Sequence, residues 1–318
     1  MHAGPRPVRT LRAYTAQTRT SRHSSLSRTS RTHYPLAMIR PRRTATPLDV
    51  SHHYDSLDPF YRELWGEHLH HGLWDRGDES PEDAVVALVH LVAKAARARA
   101  GSVICDVGSG YGATSRLLAD QFGAMVTAYT LSAVQHEHAR SRAANNAGIR
   151  HVLGDWLEAD VDAASFDAVI AIESTAHMED KPAFFVKARA ALKPGGRVVV
   201  CAWLSSGAER PWERRWLLEP ICDEGRLPSL GTAAEYTQWI DDAGLELEVF
   251  EDLSDRVRKT WAVSSNRLAS RMLTRSAWAF LLDRRNRDRV FALSVPRIRL
   301  AYATGCMRYG LFVARRSD

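Results

Sequence analysis

The chain has 318 residues, of which 45% are hydrophobic and 25% are charged, a balance typical of a soluble globular protein. The net charge of +6 is concentrated at one end: residues 1–48 hold ten Arg and no acidic residue, which leaves a net charge of −4 for residues 49–318. The body of the chain therefore lacks the basic composition that suits nucleic acid, and no apolar run approaches the roughly 20 residues that a membrane span requires.

Residues 1–47 are rich in Arg, Ser and Thr and show no apolar periodicity, so we expect a disordered extension. An organelle-targeting peptide has a similar composition. A misassigned start is a third explanation, because Met38 stands just before the predicted domain. Arg outnumbers Lys 38 to 5, which suggests a GC-rich bacterial genome, and we favour a disordered or artefactual extension over a targeting peptide.

The four cysteines form no Cys-x-x-Cys pair, and no spacing of Cys and His resembles a zinc site. Cys105 and Cys201 lie in apolar, strand-like runs. We therefore expect buried thiols in a reducing cytoplasm, and no bound metal.

The predicted domain spans residues 48–318 and begins with an N-terminal cap over 48–80, which is rich in aromatic residues and His. Pro81, Glu82 and Asp83 predict a helix start, because proline suits the first turn and acidic side chains favour the positive end of the helix dipole. Strands are predicted at 103–107, 124–129, 151–153, 166–172, 197–203, 245–251 and 305–315. Helices are predicted at 113–121, 132–146, 181–191 and 233–243, with a long helical stretch from about Thr260. Repeated β–α units indicate an α/β fold with a parallel sheet and helices on both faces.

A glycine-rich loop follows the first predicted strand, with Asp106 just ahead of Gly108, Gly110 and Gly112. Glycine allows positive φ and a close approach of the backbone to a ligand, and the next helix points its N-terminal amides at the same place. The spacing is GxGxG rather than GxGxxG, and no Lys follows as in a phosphate-binding loop. The acidic residue suits a cofactor with an ammonium group, although a structural turn or a dinucleotide site remains open.

Polar residues follow the second strand, where Thr130, Leu131, Ser132 and Gln135 stand in the place of a ribose-binding acid. Thr130 and Gln135 offer neutral hydrogen bonds to ribose hydroxyls, and Leu131 belongs to the same candidate cofactor segment. We interpret Ser132 as the N-cap of the following helix.

Two further strand ends carry candidate site residues. Asp155 and Trp156 follow the third strand and offer a hydrogen-bond partner and a stacking face for an adenine ring, with a solvated loop as the alternative. Glu173 and His177 follow the fourth strand and should face the cleft at the carboxyl ends of the strands. An imidazole has a suitable pKa for a general base, so we predict that His177 and Glu173 are catalytic, with a packing role for His177 left open.

These motifs resemble the class I S-adenosylmethionine-dependent methyltransferases, and in particular the tocopherol methyltransferase-like group, which is related to sterol methyltransferases and cyclopropane fatty-acid synthases. The resemblance covers roughly residues 52–316 and lies in the segments CDVGSGYG, YTLSAVQ, IESTAHMEDK and LKPGGRV, and in LWGEHLHHG near the N-terminus. It implies a Rossmann-like seven-stranded sheet, an inserted helical lid and S-adenosylmethionine as the cofactor.

The resemblance also implies roles for single residues. The loop from Gly108 to Gly112 would hold the methionine part of the cofactor. The residues implied for the ribose are Thr130 and Gln135, those for the adenine are Asp155 and Trp156, and Tyr54 would close over the cofactor, to which Glu173 would also bind. The sequence departs from the family at Ala176, where relatives often have Glu, and this argues against a mechanism of the cyclopropane type.

The acceptor site is expected between the N-terminal cap, the loop that follows the fourth strand and two helical lid insertions at about 204–230 and 256–300. Four tryptophans are candidates to line it, with core packing as the alternative: Trp203, Trp212, Trp216 and Trp261. We expect a small organic acceptor methylated on O, N or C, in specialised metabolism. A peptide or carboxylate terminus, or a nucleic-acid-associated protein that uses the basic arm, are the alternatives, and a homo-oligomer is left open.

Overall fold

The computed structural model describes residues 38–143, 146–271 and 291–318. A seven-stranded sheet with the order β3-β2-β1-β4-β5-β7-β6 forms its centre. Its strands are β1 Val103–Val107, β2 Met125–Thr130, β3 Ile149–Leu153, β4 Phe166–Ile172, β5 Leu192–Ser205, β6 Leu245–Asp252 and β7 Met307–Arg316. Strands β1 to β5 are parallel, and β7 is antiparallel to both of its neighbours. The strand order reverses between β1 and β4, which is where a doubly wound sheet opens a ligand-binding crevice.

Helices cover both faces of the sheet and one end of it. They are α1 Pro47–Ser56, α2 Asp58–Leu64, α3 Pro81–Ala95, α4 Ala113–Phe122, α5 Ala133–Arg142, α6 Lys181–Ala191, α7 Pro211–Glu213, α8 Glu219–Glu224, α9 Ala233–Asp242, α10 Ser254–Val257, α11 Lys259–Arg271 and α12 Phe291–Thr304. A π-helical turn at Arg214–Leu218 joins α7 to α8. The predicted lid regions thus hold α7, α8 and α10 to α12, while residues 272–290 of the second region lie outside the described residues.

The apolar core lies in two layers, one on each face of the sheet. Ile104 on β1 belongs to one layer and the adjacent Cys105 to the other, and both are fully buried. Strands buried on both faces are read as continuous apolar runs rather than as alternating patterns, which explains why β1, β4 and β5 could be predicted from composition alone.

Several element boundaries differ from the prediction. β5 begins at Leu192 rather than at residue 197, and it pairs there with Phe166. A register shift follows this pair, so residues 193–196 form an irregular part of the strand. Helix α5 ends at Arg142 rather than near 146. The start of α3 is confirmed, with Ser80 as its N-cap and Pro81 in the first turn.

The packed part of the chain begins earlier than residue 48, where the sequence placed the start of the domain. Ile39 is fully buried and exchanges backbone hydrogen bonds of 2.9 and 2.8 Å with Leu230. Thr46 caps α1 through a reciprocal pair of hydrogen bonds with Asp49. Residues 1–37 of the predicted disordered extension lie outside the described residues. In the described part of the chain, no helix is both long and apolar enough to cross a membrane.

Candidate active site

A cavity of about 710 Å³ opens at the carboxyl ends of β1, β2 and β4, between the sheet and the N-terminal cap. Most of the residues that the sequence singled out line it together: Tyr54, Asp106, Gly108, Gly110, Thr130, Leu131, Gln135, Asp155, Trp156, Glu173 and His177. The ordered set of strand-end motifs therefore forms one cleft. Gly112 is the exception, since it does not line this cavity.

The three glycine positions of the loop after β1 require glycine for different structural reasons. All have positive φ, but a Cβ atom on Gly108 would lie only 2.2 Å from the Cβ of Ser174, at the end of β4. A Cβ atom on Gly112 would lie 3.0 Å from the Cβ of Ala139, on α5. At Gly110 the nearest atom would be 4.0 Å away, on the cavity-lining Leu69. Gly108 and Gly112 thus serve packing, whereas Gly110 leaves open space next to the cavity.

Asp106 lies on β1 beneath this loop, and its carboxyl is almost fully buried. The Ser115 hydroxyl, on α4, donates a 2.6 Å hydrogen bond to Oδ2. Burial raises the pKa of Asp106 to about 6, and the hydrogen bond from Ser115 opposes this only in part. A positively charged group in the cavity would favour the carboxylate form.

The end of β2 is stabilised by hydrogen bonds among its own neighbouring residues and by one hydrogen bond from the N-terminal cap. Thr130 Oγ1 donates to Gln135 Oε1 at 3.1 Å, and both side chains are buried at the cavity wall. Ser132 accepts from the Gln135 backbone amide and is the N-cap of α5, as predicted. From α1, Ser51 donates to the carbonyl of Leu131, so that carbonyl is already used within the protein.

The end of β3 fits its predicted role only in part. One Asp155 carboxylate oxygen accepts from the Leu157 backbone amide at 2.9 Å, and the residue borders the cavity. The Trp156 side chain is only 3% exposed, packs against Phe184 and has the Lys187 ammonium 5.4 Å from its ring centre. Little of the indole is therefore left to stack on an adenine ring, and Asp155 is the better candidate.

Glu173 accepts four hydrogen bonds from distant parts of the chain. Its Oε1 accepts from the His71 backbone amide at 2.8 Å, from His71 Nδ1 at 2.9 Å and from the Tyr309 hydroxyl at 2.8 Å. Its Oε2 accepts from Trp203 Nε1 at 2.7 Å. Burial alone would raise the pKa of this carboxyl, but the Coulombic interaction with His71, the hydrogen bonds from His71 and the Coulombic interaction with His70 outweigh burial and hold the pKa at about 2. Glu173 also has a φ of 64°, a strained value for a residue with a side chain, which these contacts hold in place.

The surroundings of His71 assign its tautomer. The indole N–H of Trp261 can only donate, and it lies 2.6 Å from His71 Nε2, so Nε2 must be an acceptor. The hydrogen on Nδ1 therefore faces Glu173, and His71 donates it to the carboxylate. Sequence reasoning missed His71 and Tyr309 as partners of Glu173, although His71 stands in the family-like segment LWGEHLHHG.

His177 forms a pair with Tyr54 across the cleft. The Tyr54 hydroxyl lies 2.8 Å from His177 Nε2, and His177 Nδ1 lies 3.3 Å from the carbonyl oxygen of Arg226. A carbonyl can only accept, so Nδ1 carries the proton and Nε2 accepts from Tyr54. Burial, followed by the nearby His53, lowers the pKa of His177 to about 4, and burial raises that of Tyr54. The pair is thus a neutral imidazole and a neutral phenol.

The four tryptophans expected in the acceptor pocket separate into two groups. Trp203 and Trp261 line the cavity, and their rings form an edge contact with centroids 5.7 Å apart. Trp212 and Trp216 are 41% and 63% exposed, away from the cavity, so their predicted pocket role is wrong. Arg guanidinium groups cover both exposed rings instead.

Comparison with known proteins places this cleft in a family. The family model for mycolic acid cyclopropane synthetase matches residues 42–279. The chain belongs to this family. It is accordingly an S-adenosylmethionine-dependent methyltransferase, which confirms the predicted enzyme class, cofactor and fold.

Three members of the wider group illustrate the similarity. The chain is 27% identical to the chloroplastic tocopherol O-methyltransferase of Arabidopsis thaliana, over 84% of this chain and 81% of that one. It is 32% identical to the 27-O-demethylrifamycin SV methyltransferase of Amycolatopsis mediterranei, over 70% and 82% of the two chains. The crystal structure of mycolic acid cyclopropane synthase CmaA1 superposes with a TM-score of 0.76 at 20% identity, over 86% of this chain and 99% of that one, a likeness of fold.

Substitutions at Gly108 and Gly110 should separate an effect on stability from an effect on cofactor affinity. Gly108→Ala should lower the free energy of unfolding by about 3 kcal/mol, because its Cβ meets Ser174 and φ is positive. Gly110→Ala should lower it by only about 1 kcal/mol, through φ alone. Its Cβ projects into open space beside the cavity, so we expect roughly tenfold weaker binding of S-adenosylmethionine in calorimetry. Full affinity in Gly110→Ala would exclude close approach of the cofactor at this residue.

Glu173→Gln should lower the free energy of unfolding at pH 7 by about 3 kcal/mol, because the amide nitrogen would face hydrogen-bond donors. The pKa of Glu173 is lowered from 4.5 to about 2, so its stabilisation is complete above pH 4.5 and is lost as the pH falls towards 2. Denaturant titrations should therefore show the two proteins converging over this pH range. Glu246→Gln, at an exposed ion pair, is the control and should change stability little. A pH-independent difference would contradict a buried carboxylate at Glu173.

Proposed function

We propose that the enzyme transfers the methyl group to a hydroxyl oxygen of a small, largely apolar molecule. The observation that carries this proposal is the Tyr54–His177 pair in the wall of the cavity. In-line displacement mainly requires that the acceptor be positioned, and a base helps only where the acceptor must lose a proton. A neutral imidazole that is hydrogen-bonded to a phenol suits a hydroxyl acceptor.

The cleft fits the cofactor at several points. The Ser109 hydroxyl, in the glycine loop, is buried and has no partner among the described residues, as expected of a group that awaits a polar ligand. We propose that Asp106 faces the ammonium group, that Thr130 and Gln135 contact the ribose, and that Asp155 contacts the adenine. When bound, S-adenosylmethionine supplies an electrophilic methyl group on a positively charged sulfur.

The proton path follows from the hydrogen bonds of the pair. The acceptor hydroxyl would pass its proton to Tyr54 Oη, and Tyr54 would pass its own proton to His177 Nε2. The resulting imidazolium would keep its Nδ1–H on the Arg226 carbonyl. The imidazole would thereby gain the positive charge that the bound cofactor gives up when its carbon–sulfur bond is exchanged for the new carbon–oxygen bond. In this scheme Glu173 positions the cap and does not take up the proton, because all its hydrogen bonds are already made within the protein.

The acceptor chamber is walled largely by aromatic rings. Eight Tyr and Trp side chains line the cavity, and five of these come from the cap, β5 and α11: Tyr54, Tyr61, Trp65, Trp203 and Trp261. Such walls favour an apolar acceptor with few polar groups. The names of the tocopherol and 27-O-demethylrifamycin relatives, which refer to O-methylation, support the same choice.

The cellular setting is part of the proposal. We infer a bacterial enzyme of specialised metabolism that acts in the cytoplasm. The excess of Arg over Lys and the similarity to a rifamycin methyltransferase of Amycolatopsis mediterranei support this inference. We expect no nucleic acid partner, because residues 49–318 carry a net negative charge.

A labelled-methyl screen over phenols, aliphatic alcohols, amines and carboxylic acids tests the proposal. We expect turnover with apolar phenols or alcohols. We expect a loss of about 100-fold or more in both His177→Ala and Tyr54→Phe, because the proton passes through Tyr54 Oη to His177, with little change in cofactor affinity. Since the base must be neutral and the pKa of His177 is about 4, kcat/KM should be flat above about pH 5. Turnover with amines or carboxylates alone would contradict the proposal, as would unchanged activity in His177→Ala.

A further inference from the structure

Lys181, at the start of α6, has its ammonium group buried beneath the loop that carries His177, and the residue is only 1% exposed. Its Nζ donates to the carbonyl of Met178 at 2.8 Å and to that of Ala176 at 3.4 Å. It also donates to the Ser229 hydroxyl at 2.8 Å. The two carbonyls belong to the residues on either side of His177, so one ammonium holds both ends of that short segment.

No carboxylate of the described residues forms an ion pair with Lys181 Nζ, although the charge of Glu235 favours its protonated form. Burial lowers the pKa of Lys181 to about 7. Burial of an amino group is unfavourable unless its hydrogen bonds are made, so a role in holding polar groups explains the presence of Lys181 better than packing does.

The third contact of Lys181 reaches the segment that also binds the imidazole. Ser229 lies three residues after Arg226, whose carbonyl accepts the Nδ1–H of His177. Lys181 therefore ties together the two backbone segments on which the orientation of the His177 ring depends.

A second lysine of α6 makes the equivalent contacts at the neighbouring loop. Lys187 Nζ donates to the carbonyls of Leu157 at 2.8 Å and of Ala159 at 2.5 Å. These residues lie two and four positions after Asp155, the candidate partner of the adenine. One helix thus presents one ammonium group to the loop after β4 and another to the loop after β3.

We propose that Lys181 and Lys187 are positioning residues with separate roles, one for the proposed base and one for cofactor binding. Lys181 fixes the ring orientation and tautomer of His177, and Lys187 fixes the cofactor loop at Asp155. The proposal rests on the roles given above to His177 and Asp155. Neither lysine touches the reacting atoms.

The test compares Lys181→Met and Lys187→Met as matched variants of one helix. Nitrogen NMR of ¹⁵N-histidine-labelled protein at pH 7, with the His177 signal assigned from His177→Ala, reports the tautomer. We expect a single Nδ1–H tautomer in the wild type and in Lys187→Met, both tautomers in Lys181→Met, and a single tautomer again in Lys181→Arg. A single tautomer in a folded Lys181→Met protein would overturn its role.

Calorimetry with S-adenosylhomocysteine should show the reverse pattern, with the larger effect in Lys187→Met and the smaller effect in Lys181→Met. We expect a Kd about tenfold higher in Lys187→Met, the size expected from hydrogen bonds to a charged group, and within about twofold of the wild type in Lys181→Met. Equal effects of the two variants on Kd would overturn the proposal.

The roles of the two lysines can still be decided if Lys181→Met does not fold or if the wild type does not bind S-adenosylhomocysteine. If circular dichroism shows that Lys181→Met does not fold, Ser229→Ala takes its place, because it removes the contact that joins Lys181 to the Arg226 segment, and a single tautomer there would overturn the proposal. Failure of the wild type to bind S-adenosylhomocysteine would refute the proposed function, whereas the tautomer of His177 would still decide the role of Lys181.

Discussion

A buried carboxylate persists in a folded protein only where hydrogen-bond donors replace its water, and Glu173 meets this requirement with groups from three distant parts of the chain. His71 comes from the N-terminal cap, Trp203 from β5 and Tyr309 from β7. The separations along the chain are 102, 30 and 136 residues. The carboxylate thereby joins the cap to the centre of the sheet, and the cap forms one wall of the cleft. Loss of this single group would leave several buried donors unpaired.

The same residue shapes the floor of the cleft. The positive φ of Glu173 turns the chain so that Ser174 lies against Gly108, which brings the loops after β1 and β4 into contact. The next residues form the short turn that ends in His177, which Lys181 holds from below. Burial keeps the imidazole of His177 neutral. The proposed base therefore adds no positive charge to the cleft in which a positively charged cofactor is proposed to face Asp106.

Much of this could be predicted from the sequence, because the signals were local. The buried strands, the glycine loop and the Ser132 cap each depend on a few consecutive residues, and strand ends of a parallel sheet must meet at one edge. What sequence reasoning missed depends on contacts between distant residues, as with the donors to Glu173. Gly112 and Trp156 were assigned to the cofactor from their position in a motif. The structure adds packing contacts that the motif does not predict, of Gly112 with Ala139 on α5 and of Trp156 with Phe184 on α6.

We propose that a cap held by Glu173 closes the cofactor cleft and sets Tyr54 and His177 opposite the methyl donor. A crystal structure with bound S-adenosylhomocysteine would test this arrangement. We expect the sulfur beside the loop at Gly108 and Gly110, the Glu173 carboxylate still bound to His71, and the Tyr54–His177 pair facing the sulfur across the acceptor chamber. A nucleoside bound elsewhere, or a Glu173 carboxylate that leaves His71 to bind the ligand, would contradict it.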